Sequence, residues 1–293
     1  MGVVLLGGGG FLGRELAYRL AASDVLVRAV SSREIDLSQA DAVERLSALF
    51  GPDDAVVMTA CITPEKGQDL ATLMKNIRMG ENVCGALLRN PPGYFLYVSS
   101  DAVYDARHRS ALNEEASCEP TSFYSLAHIA REKMLADACA SRQIPFLAVR
   151  PCAIYGAGDT HDSYGPNRFI RGALRTRTIA IFGTGEELRH HIYVRDVGNI
   201  IELCLSRRRT GILNAIAGQA ISFLELAQLV ADAVGREVRI ERLRRNIPIT
   251  HRCYDTTALF KSFPDFSPTP LATGIAETVA AASGSSTSAR TTD

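Results

Sequence analysis

The amino-acid sequence predicts an α/β protein, in which a doubly wound parallel sheet is followed by a smaller C-terminal lobe. Short β-rich runs alternate with helical patterns through the first two thirds of the chain, which is the order of βαβ units. A glycine cluster follows the first of these runs. Beyond Arg150 the composition changes, and Gly, Pro, Asp and Asn precede a second set of short strands. Together these observations predict a sheet core and a lobe of different character.

Five apolar runs are predicted as strands of the sheet, and four segments between them as helices. The strands are residues 3–6, 25–30, 55–60, 95–100 and 145–150, and the helices are 13–22, 40–50, 68–89 and 124–141. Crossovers of that size join neighbouring parallel strands. Residues 30–39 are too few for such a helix, so we expect a reduced connection between the second and third strands, with 41–50 as its only helix.

The chain divides into three predicted segments. Residues 1–155 are the sheet core, residues 156–282 are mainly the C-terminal lobe with segments that return to the core, and residues 283–293 are a disordered tail rich in Ser and Thr. Within the lobe, residues 221–235 carry apolar side chains at helical spacing and end on Gly235, a typical helix stop. No linker or internal repeat separates core and lobe, so we expect them to fold as one body.

The composition limits the classes of function. The 293 residues include 32 basic and 32 acidic side chains, and this balance argues against nucleic-acid binding. Seven cysteines without a CxxC pair predict reduced thiols, and no metal site is expected. No apolar run reaches the length of a membrane span, and no signal peptide precedes the first strand. The sequence therefore predicts a cytoplasmic protein without membrane contact.

The glycine cluster lies between the first strand and the first helix. Gly7, Gly10 and Gly13 have a GxxGxxG spacing there. Glycine permits the tight turn and the close approach of a ligand, and the N-terminus of the helix attracts a pyrophosphate. Because the pattern follows a strand and opens a helix, it predicts a Rossmann-type core that binds a dinucleotide.

The end of the second strand indicates which dinucleotide is bound. Folds that prefer NAD usually place an acidic residue there, which holds the ribose 2′-hydroxyl. This chain has Ser31, Ser32 and Arg33 instead. Because Arg forms forked, charge-assisted bonds with phosphate oxygens, we expect NADP to be favoured, with NAD as the alternative.

Four further motifs accompany the glycine loop. They are YVSSDAVYD (97–105), FYSLAHIAREKM (123–134), RPCAIYGAGD (150–159) and RHHIYVRDV (189–197). In this order the motifs resemble the extended short-chain dehydrogenase/reductase family, and within it the nucleotide-sugar epimerases, dehydratases and 4-keto reductases. The resemblance covers roughly residues 1–280. It implies an NAD(P)-dependent enzyme that acts on a nucleoside-diphosphate sugar by hydride transfer.

The resemblance implies catalytic roles for three residues. Tyr124 would be the acid/base, and Ser100 would hold the same substrate oxygen by a hydrogen bond. His128 stands where the family has a lysine, at a spacing that faces Tyr124. Neutral imidazole retains a bond to the nicotinamide ribose but lacks the charge of lysine, and Arg131 on the same stripe lies about two turns from the tyrosine. The sequence leaves open a working enzyme, a slow or alkaline-shifted enzyme, and a cofactor-binding protein without catalysis.

The resemblance also implies two sets of binding residues. Expected at the cofactor, besides Tyr124 and His128, are Gly7, Gly10, Phe11, Leu12, Gly13, Ser31, Ser32, Arg33, Asp36, Leu37, Ala60, Asn76 and Pro151. Expected at the substrate are Ser100, Asp101, Asn167, Arg189 and Arg252. The two arginines suit a diphosphate, and each of them also fits an ordinary surface charge.

The reaction type stays open between a 4-epimerase and a 4-keto reductase. The short second crossover resembles the reductases, whereas RHHIYVRDV resembles the epimerases and dehydratases. Dehydration is less expected, because Asp101 is followed by Ala102 where dehydratases usually have a second acid. A non-nucleotide carbonyl compound is an alternative substrate. Family members often form dimers through a four-helix contact, so the helix that starts at Tyr124 is a candidate contact of a homodimer.

Overall fold

The computed structural model of the protein describes residues 2–105, 111–246 and 248–288. Its strands are β1 (Val3–Leu6), β2 (Val27–Val30), β3 (Ala55–Met58), β4 (Tyr94–Val98), β5 (Phe146–Pro151), β6 (Ala153–Tyr155), β7 (Thr178–Phe182), β8 (Leu188–Arg189), β9 (His191–Tyr193), β10 (Gly211–Ala215), β11 (Ile221–Ser222) and β12 (Arg239–Leu243). Its helices are α1 (Phe11–Ala22), α2 (Ala42–Ser47), α3 (Leu70–Arg89), α4 (Phe123–Ser141), α5 (Pro166–Thr176), α6 (Val194–Arg207), α7 (Phe223–Val234), α8 (Thr257–Ser262) and α9 (Leu271–Ser288).

Six parallel strands form the central sheet, in the order β10-β5-β4-β3-β1-β2. The predicted parallel sheet is therefore confirmed. In the register of its centre, Val3 of β1 pairs with Val27 of β2 and with Ala55 of β3. After β1 the chain adds β2 on one side of that strand and then β3 on the other. Such a switch point leaves a crevice outside the carboxyl ends of the strands, where sheets of this kind bind ligands.

Helices cover both faces of the sheet, which confirms the doubly wound arrangement. Side chains alternate along β1, so that Leu5 joins the core on one face with Leu16 of α1, and Leu6 joins the core on the other face with Val83 of α3. Every residue of β1, β3 and β4 is buried. Continuous burial is typical of parallel strands that are covered on both faces.

The connection from β2 to β3 is reduced, as the sequence predicted. In this fully described stretch, the six residues of α2 are its one helix. The turn before α2 is held by Asp36, whose carboxylate accepts hydrogen bonds from the Ser38 amide at 3.0 Å and the Ser38 hydroxyl at 2.7 Å. These bonds hold the pKa of Asp36 below its ordinary value. The connection therefore shapes one wall of the crevice without a full crossover helix.

The C-terminal lobe consists of short strand pairs and helices. In the described parts of the chain, β6 pairs with β9 and β7 with β12 in parallel, and β8 pairs with β11 in antiparallel. Helix α7 begins with a capping box between Ser222 and Glu225 and ends at Gly235, which has a φ of +64°. Between β9 and α7 the chain returns to the core. Helix α6 packs on α1 there, and β10 joins the sheet beside β5.

Helix α9 continues to Ser288. It thus includes the start of the segment 283–293 that the sequence predicted as a tail, and residues 289–293 lie outside the described residues. None of the helices described is long and apolar enough to cross a bilayer.

Candidate active site

The glycine loop is shaped by close contacts between backbone atoms. Gly7 has a φ of +99°, and a Cβ at this position would lie 2.7 Å from the Ala60 amide nitrogen. A Cβ on Gly13 would overlap the carbonyl oxygen of Gly7. Gly10 is the N-cap of α1 and offers no side-chain cap. The first N–H groups of α1 have no intrahelical acceptor, as in every helix, and here no N-cap side chain accepts from them. This arrangement suits an anion at the helix N-terminus.

A cavity of about 980 Å³ opens at the carboxyl ends of β1, β2 and β3. Eight of the predicted cofactor residues line it: Gly7, Gly10, Ser31, Ser32, Arg33, Asp36, Leu37 and Ala60. Its volume lies within the range of small-molecule and cofactor sites. The structure thus brings the glycine loop and the residues at the end of β2 around one space.

A second cavity, of about 390 Å³, begins at the other side of the glycine loop and extends toward the lobe. The two cavities share five lining residues: Gly9, Gly10, Thr59, Cys61 and Lys66. Of the predicted residues, it is lined by Gly10, Phe11, Leu12, Gly13, Ser100, Asp101, Tyr124, His128, Pro151 and Asn167. The two cavities therefore adjoin at the glycine loop, one of them reaching Arg33 and the other the predicted catalytic residues.

Tyr124 and Ser100 come together although they belong to different elements. Ser122 and Ser125 form a capping box that starts α4 and places Tyr124 in its first turn, whereas Ser100 follows β4. Both side chains line the second cavity, and the Ser100 hydroxyl is among the groups that lower the pKa of the phenol. Burial raises the pKa of Tyr124, and the Ser100 hydroxyl and the Arg131 charge act in the opposite direction. The phenol is consequently protonated near neutral pH.

His128 faces Tyr124, as its spacing predicted, but it is buried between other side chains. The ring centroids of Tyr124 and His128 are 4.6 Å apart in an edge-on arrangement. Nδ1 lies 2.7 Å from the Tyr97 hydroxyl, and Nε2 lies 3.5 Å from the Cys61 sulfur. Burial and the nearby Arg131 charge lower the pKa of His128 well below its ordinary value. The ring is neutral, and a bond to a ribose would have to replace a contact that it already makes.

Arg131 is a residue whose place the sequence did not reveal. Its side chain is 0% exposed, and Nη2 donates to the Ala60 carbonyl oxygen at 2.6 Å. The guanidinium carbon lies 5.0 Å from the centre of the Tyr97 ring. The one signal in the sequence was its position on the stripe of α4 that carries Tyr124 and His128. That stripe faces the sheet, so the cation is buried behind the catalytic residues.

Asn76 is placed differently from the expectation of a cofactor contact. Its side chain is 1% exposed and lines neither cavity. Its amide donates to the Ile62 carbonyl oxygen at 3.1 Å and accepts from the Ile62 amide at 2.9 Å. Asn76 therefore holds the loop that follows β3, which in turn lines both cavities.

The predicted substrate residues separate into two groups. Asp101 and Asn167 line the second cavity, whereas Arg189 and Arg252 line neither cavity. The Asn167 amide already clamps Gly156, since it accepts from its N–H at 3.0 Å and donates to its carbonyl oxygen at 2.7 Å. Asn167 therefore shapes this wall of the cavity through the backbone it holds.

The two arginines are engaged with protein groups. Arg189 donates to the Thr250 carbonyl oxygen and, at 3.0 Å, to the Thr250 hydroxyl. Arg252 lies 3.8 Å from the Asp101 carboxylate, which also accepts a hydrogen bond of 2.7 Å from the Tyr254 hydroxyl. Residues of the lobe thus reach the carboxylate that follows Ser100, and sequence reasoning missed the contribution of Tyr254.

Lys66 and its neighbours were also missed. Lys66 lines both cavities. Glu65 accepts a hydrogen bond of 2.8 Å from the Ser163 hydroxyl, which connects the loop after β3 with the segment before α5. The available signal was the short stretch PEKG, which follows a strand whose carboxyl end faces the crevice. Lys66 of this stretch is a cation at the place where the two cavities meet.

Comparison with known sequences finds a family and several distant relatives. The model of the NAD dependent epimerase/dehydratase family matches residues 3–215. A dTDP-4-dehydro-6-deoxy-D-allose reductase from Streptomyces bikiniensis is 33% identical over 138 residues, which are 44% of this chain and 41% of the relative. A dTDP-4-dehydrorhamnose reductase from Mycolicibacterium smegmatis is 27% identical over 248 residues, 83% of this chain and 71% of the relative. In several of these matches the aligned part spans half of the curated relative or less.

Solved structures share the fold along nearly the whole chain. A UDP-N-acetylglucosamine 4-epimerase from Methanobrevibacter ruminantium superposes with a TM-score of 0.84 and 22% identity, and the match covers 97% of this chain and 98% of the other. A UDP-glucose 4-epimerase from Thermus thermophilus gives a TM-score of 0.84 at 21% identity, with 97% and 99% of the chains covered. At this identity the likeness concerns the fold alone.

Proposed function

The chain belongs to the NAD-dependent epimerase/dehydratase family, and from this membership we propose that it is an NADP-dependent 4-keto reductase of a nucleoside-diphosphate sugar. The observation that carries the proposal is the pair of Tyr124 and Ser100 at a cavity continuous with the glycine loop. A phenol and a hydroxyl that converge on one space are suited to hold and protonate a single carbonyl oxygen. A 4-epimerase is the alternative within the same family.

The residues of the larger cavity fit a dinucleotide. Gly7 and Gly13 let the backbone of the loop pack closely on itself and on Ala60, and this tight turn ends at the N-terminus of α1, where a pyrophosphate would be stabilised. Arg33, Ser31 and Ser32 line the far end of the cavity and would hold a 2′-phosphate. When bound, the nicotinamide supplies the hydride for the reduction.

The protein's own part in the reaction is orientation and proton transfer. Ser100 would donate a hydrogen bond to the substrate carbonyl oxygen and fix it beside the phenol. The Tyr124 Oη–H bond then breaks, its proton passes to that oxygen as the alcohol forms, and solvent later returns a proton to the phenolate. Burial raises the pKa of Tyr124, and His128 is neutral. A phenol that keeps its proton favours the acid role of a reductase over the base role with which an epimerase begins.

The proposed substrate is a nucleoside-diphosphate sugar, as the names of the relatives suggest. Its sugar would lie beside Ser100, Asp101 and Asn167 in the second cavity. Arg189 and Arg252 would reach its diphosphate only after leaving their partners Thr250 and Asp101. This engagement favours one second candidate, the reduction of a carbonyl compound that carries no nucleotide.

The test is turnover of a panel of nucleoside-diphosphate 4-keto sugars with NADPH and with NADH. We expect oxidation of NADPH with at least one sugar, and a fall of kcat by about 100-fold or more in Tyr124→Phe, because general acid catalysis contributes that much. Tyr18→Phe is the matched control, since Tyr18 is 76% exposed on α1. Turnover of a panel of simple aldehydes and ketones, but of no sugar, would support the second candidate.

The nucleotide released on denaturation of the purified protein distinguishes the two family reactions. Release of NADP(H), or an empty protein that takes up NADPH, agrees with a reductase that exchanges its cofactor. Tightly retained NAD would instead indicate an epimerase that recycles its hydride. Full activity of Tyr124→Phe would overturn the assigned role of the phenol.

We also propose that the protein is a homodimer in which α3 and α4 form the contact. These helices pack on each other, and their N-terminal turns present exposed apolar side chains. Those side chains are Leu70, Met74, Phe123 and Leu126. Exposed apolar side chains on two helices that pack together suit a surface that is covered by a second subunit.

A further inference from the structure

Arg131 is a buried cation without a counterion. Its side chain is 0% exposed, and its Nε and Nη1 have no hydrogen-bond partner. Within the described part of the chain, no carboxylate lies at ion-pair distance from it. The other deeply buried arginine, Arg150, has the usual arrangement, with bonds of 2.9 and 2.6 Å to the two oxygens of Glu132. An uncompensated buried charge is costly to a fold, so the position of Arg131 calls for a functional reason.

The cation faces a row of aromatic rings that ends at Tyr124. The guanidinium carbon of Arg131 lies 5.0 Å from the centre of the Tyr97 ring. The Tyr97 hydroxyl lies 2.7 Å from Nδ1 of His128, and the His128 ring contacts Tyr124 at a centroid distance of 4.6 Å. The guanidinium is therefore coupled to the phenol by one hydrogen bond and two ring contacts.

The neighbouring helix leaves room for Arg131 at one position. A Cβ at Gly80 of α3 would lie 2.8 Å from Cγ of Arg131. On the sheet side, the Ala60 carbonyl oxygen and the Met58 sulfur accept from Nη2 at 2.6 and 3.4 Å. The stem of the side chain thus packs against α3 at Gly80, and its guanidinium is held on the sheet side.

We propose that Arg131 is a positioning residue that supplies the positive charge favouring the ionised form of Tyr124 during proton transfer, acting through Tyr97 and His128. The inference rests on the proposed function, since it assigns Tyr124 the proton donor's role. In that step the proton leaves Tyr124 Oη for the substrate oxygen and a phenolate remains. A cation in a low-dielectric interior stabilises that phenolate over a longer distance than it would in water.

The other titratable groups around Tyr124 and Arg131 do not supply this charge. Lys66 lines the same cavity as Tyr124 but is not among the groups that act most strongly on the phenol. The Asp101 carboxylate, after β4, opposes ionisation of the phenol. Burial raises the pKa of Cys61, after β3, so its thiol is neutral, as is His128 on α4. Burial raises the pKa of Tyr97 on β4 as well. On α3 the half-buried Cys84 also stays a thiol, because burial raises its pKa to about 11.

The neutral state of His128 agrees with this assignment. Arg131 adds to burial in lowering the pKa of His128, because a second positive charge beside the first is unfavourable. A positive charge at position 131 therefore disfavours a second one at position 128, so that one of the two positions carries the buried charge. The family places a lysine at the first of these positions, and this chain carries its buried charge at the second.

The first test replaces Arg131 by Met, which has similar length and no charge. We expect kcat to fall about tenfold and the apparent pKa of turnover to rise by about one unit, with KM for both substrates within about twofold. The midpoint of thermal unfolding should stay or rise, because an uncompensated buried cation is replaced by an apolar chain. Arg131→Lys is the conservative variant, and it should keep most of the rate. Unchanged kcat and pH profile in Arg131→Met would overturn the inference.

A second variant separates charge from packing. In Arg131→Met/His128→Lys a cation returns beside Tyr124 at the other position, and we expect kcat and the pH profile to move back toward those of the parent protein. A merely structural arginine predicts no such recovery. A double variant that is no faster than Arg131→Met, although it is folded and binds NADPH, would contradict the electrostatic role.

A cofactor-free readout keeps the inference separate from the proposed function. The Tyr124 Cζ resonance of protein labelled with ¹³C-tyrosine is assigned by its loss in Tyr124→Phe, and its shift is followed on raising the pH. We expect its change to begin at higher pH in Arg131→Met than in the parent. An identical pH dependence of the resonance in the two proteins would refute the role of Arg131, whatever substrate the enzyme accepts. A shifted pH dependence without turnover of any substrate would contradict the proposed function alone.

Discussion

Single side chains decide what the two cavities can hold. Burial raises the pKa of Tyr124, which lines the second cavity with Ser100 and His128. The ring nitrogens of His128 are already next to the Tyr97 hydroxyl and the Cys61 sulfur. At the opposite end of the space, Arg33 is an exposed cation on the rim of the larger cavity. Under the proposed function, proton transfer and the choice of dinucleotide would depend on different residues, which allows the two assignments to be tested independently.

Arg33→Ala tests the choice of dinucleotide. We expect KM for NADPH to rise by about 10- to 100-fold, since a hydrogen bond to a charged phosphate is lost, while KM for NADH changes little. Arg28→Ala is the control, because Arg28 lies on β2 just before the turn that carries Arg33, pairs with Glu34 and lines neither cavity. Steady-state kinetics with both cofactors measure the ratio. An equal loss for NADPH and NADH would show that Arg33 does not recognise a 2′-phosphate.

At the scale of the elements, α4 serves two surfaces. Its inner stripe carries Tyr124, His128 and Arg131 toward the sheet, and its outer stripe carries Phe123 and Leu126, which are 42% and 40% exposed. A helix of 3.6 residues per turn separates such stripes by one or two positions. The proposed contact between subunits would therefore lie on the same helix as the catalytic residues.

Leu126→Glu tests the proposed dimer. We expect the sedimentation coefficient to change from that of a dimer to that of a monomer, because a buried carboxylate without a partner opposes association. Leu26→Glu is the matched control: Leu26 is 81% exposed in the segment before β2, away from α3 and α4. A parent protein that sediments as a monomer at micromolar concentration would refute the dimer, and an unchanged dimer in the variant would place the contact elsewhere.

At the scale of the whole molecule, buried histidines connect stability to pH. His191, on β9 and 8% exposed, has no hydrogen-bond partner on either ring nitrogen, and burial lowers its pKa to about 3. The unfolded chain binds a proton at this site near pH 6.5, and the folded chain does not. Stability from this group is therefore complete above pH 6.5 and declines as the pH falls toward 3. The slope is at most about 1.4 kcal/mol per pH unit.

His191→Phe tests this dependence, since phenylalanine fills similar space beside Phe223 without polar nitrogens. Urea unfolding at several pH values below 6.5 should show a shallower loss of the free energy of unfolding than in the parent, and equal or greater stability at neutral pH. His161→Phe should act above pH 6.5 instead, because its hydrogen bond with the Asp159 carboxylate raises the pKa of His161. The parent loses that stabilisation as the pH rises through the raised pKa, and the variant lacks this loss. Parallel stability profiles of the parent and His191→Phe would contradict the prediction.

Much of the core could be predicted from local pattern alone. The strands β1 to β5 and the helices between them begin and end within about three residues of the predicted limits, and the reduced β2–β3 connection is as predicted. The period of the apolar residues and the punctuation by glycine act over a few residues, so they can be read from the sequence. The tight turn at Gly7 and Gly13 could be predicted in the same way. So could the contact between Tyr124 and His128, because residues four apart lie on one face of a helix.

Other features were decided only by tertiary structure. Four contacts are examples, each between residues that local sequence patterns cannot bring together. They are the burial of Arg131 against Tyr97, the hydrogen bonds of Asn167 to Gly156, those of Arg189 to Thr250, and the pairing of β10 with β5. The sequence by itself determined the sheet, its glycine-rich turn and the candidates for the reacting groups, because these follow from local periodicity and residue chemistry. Which charges are buried, which side chains are already paired and which space remains open were settled by long-range packing, since burial and partners are properties of the folded chain.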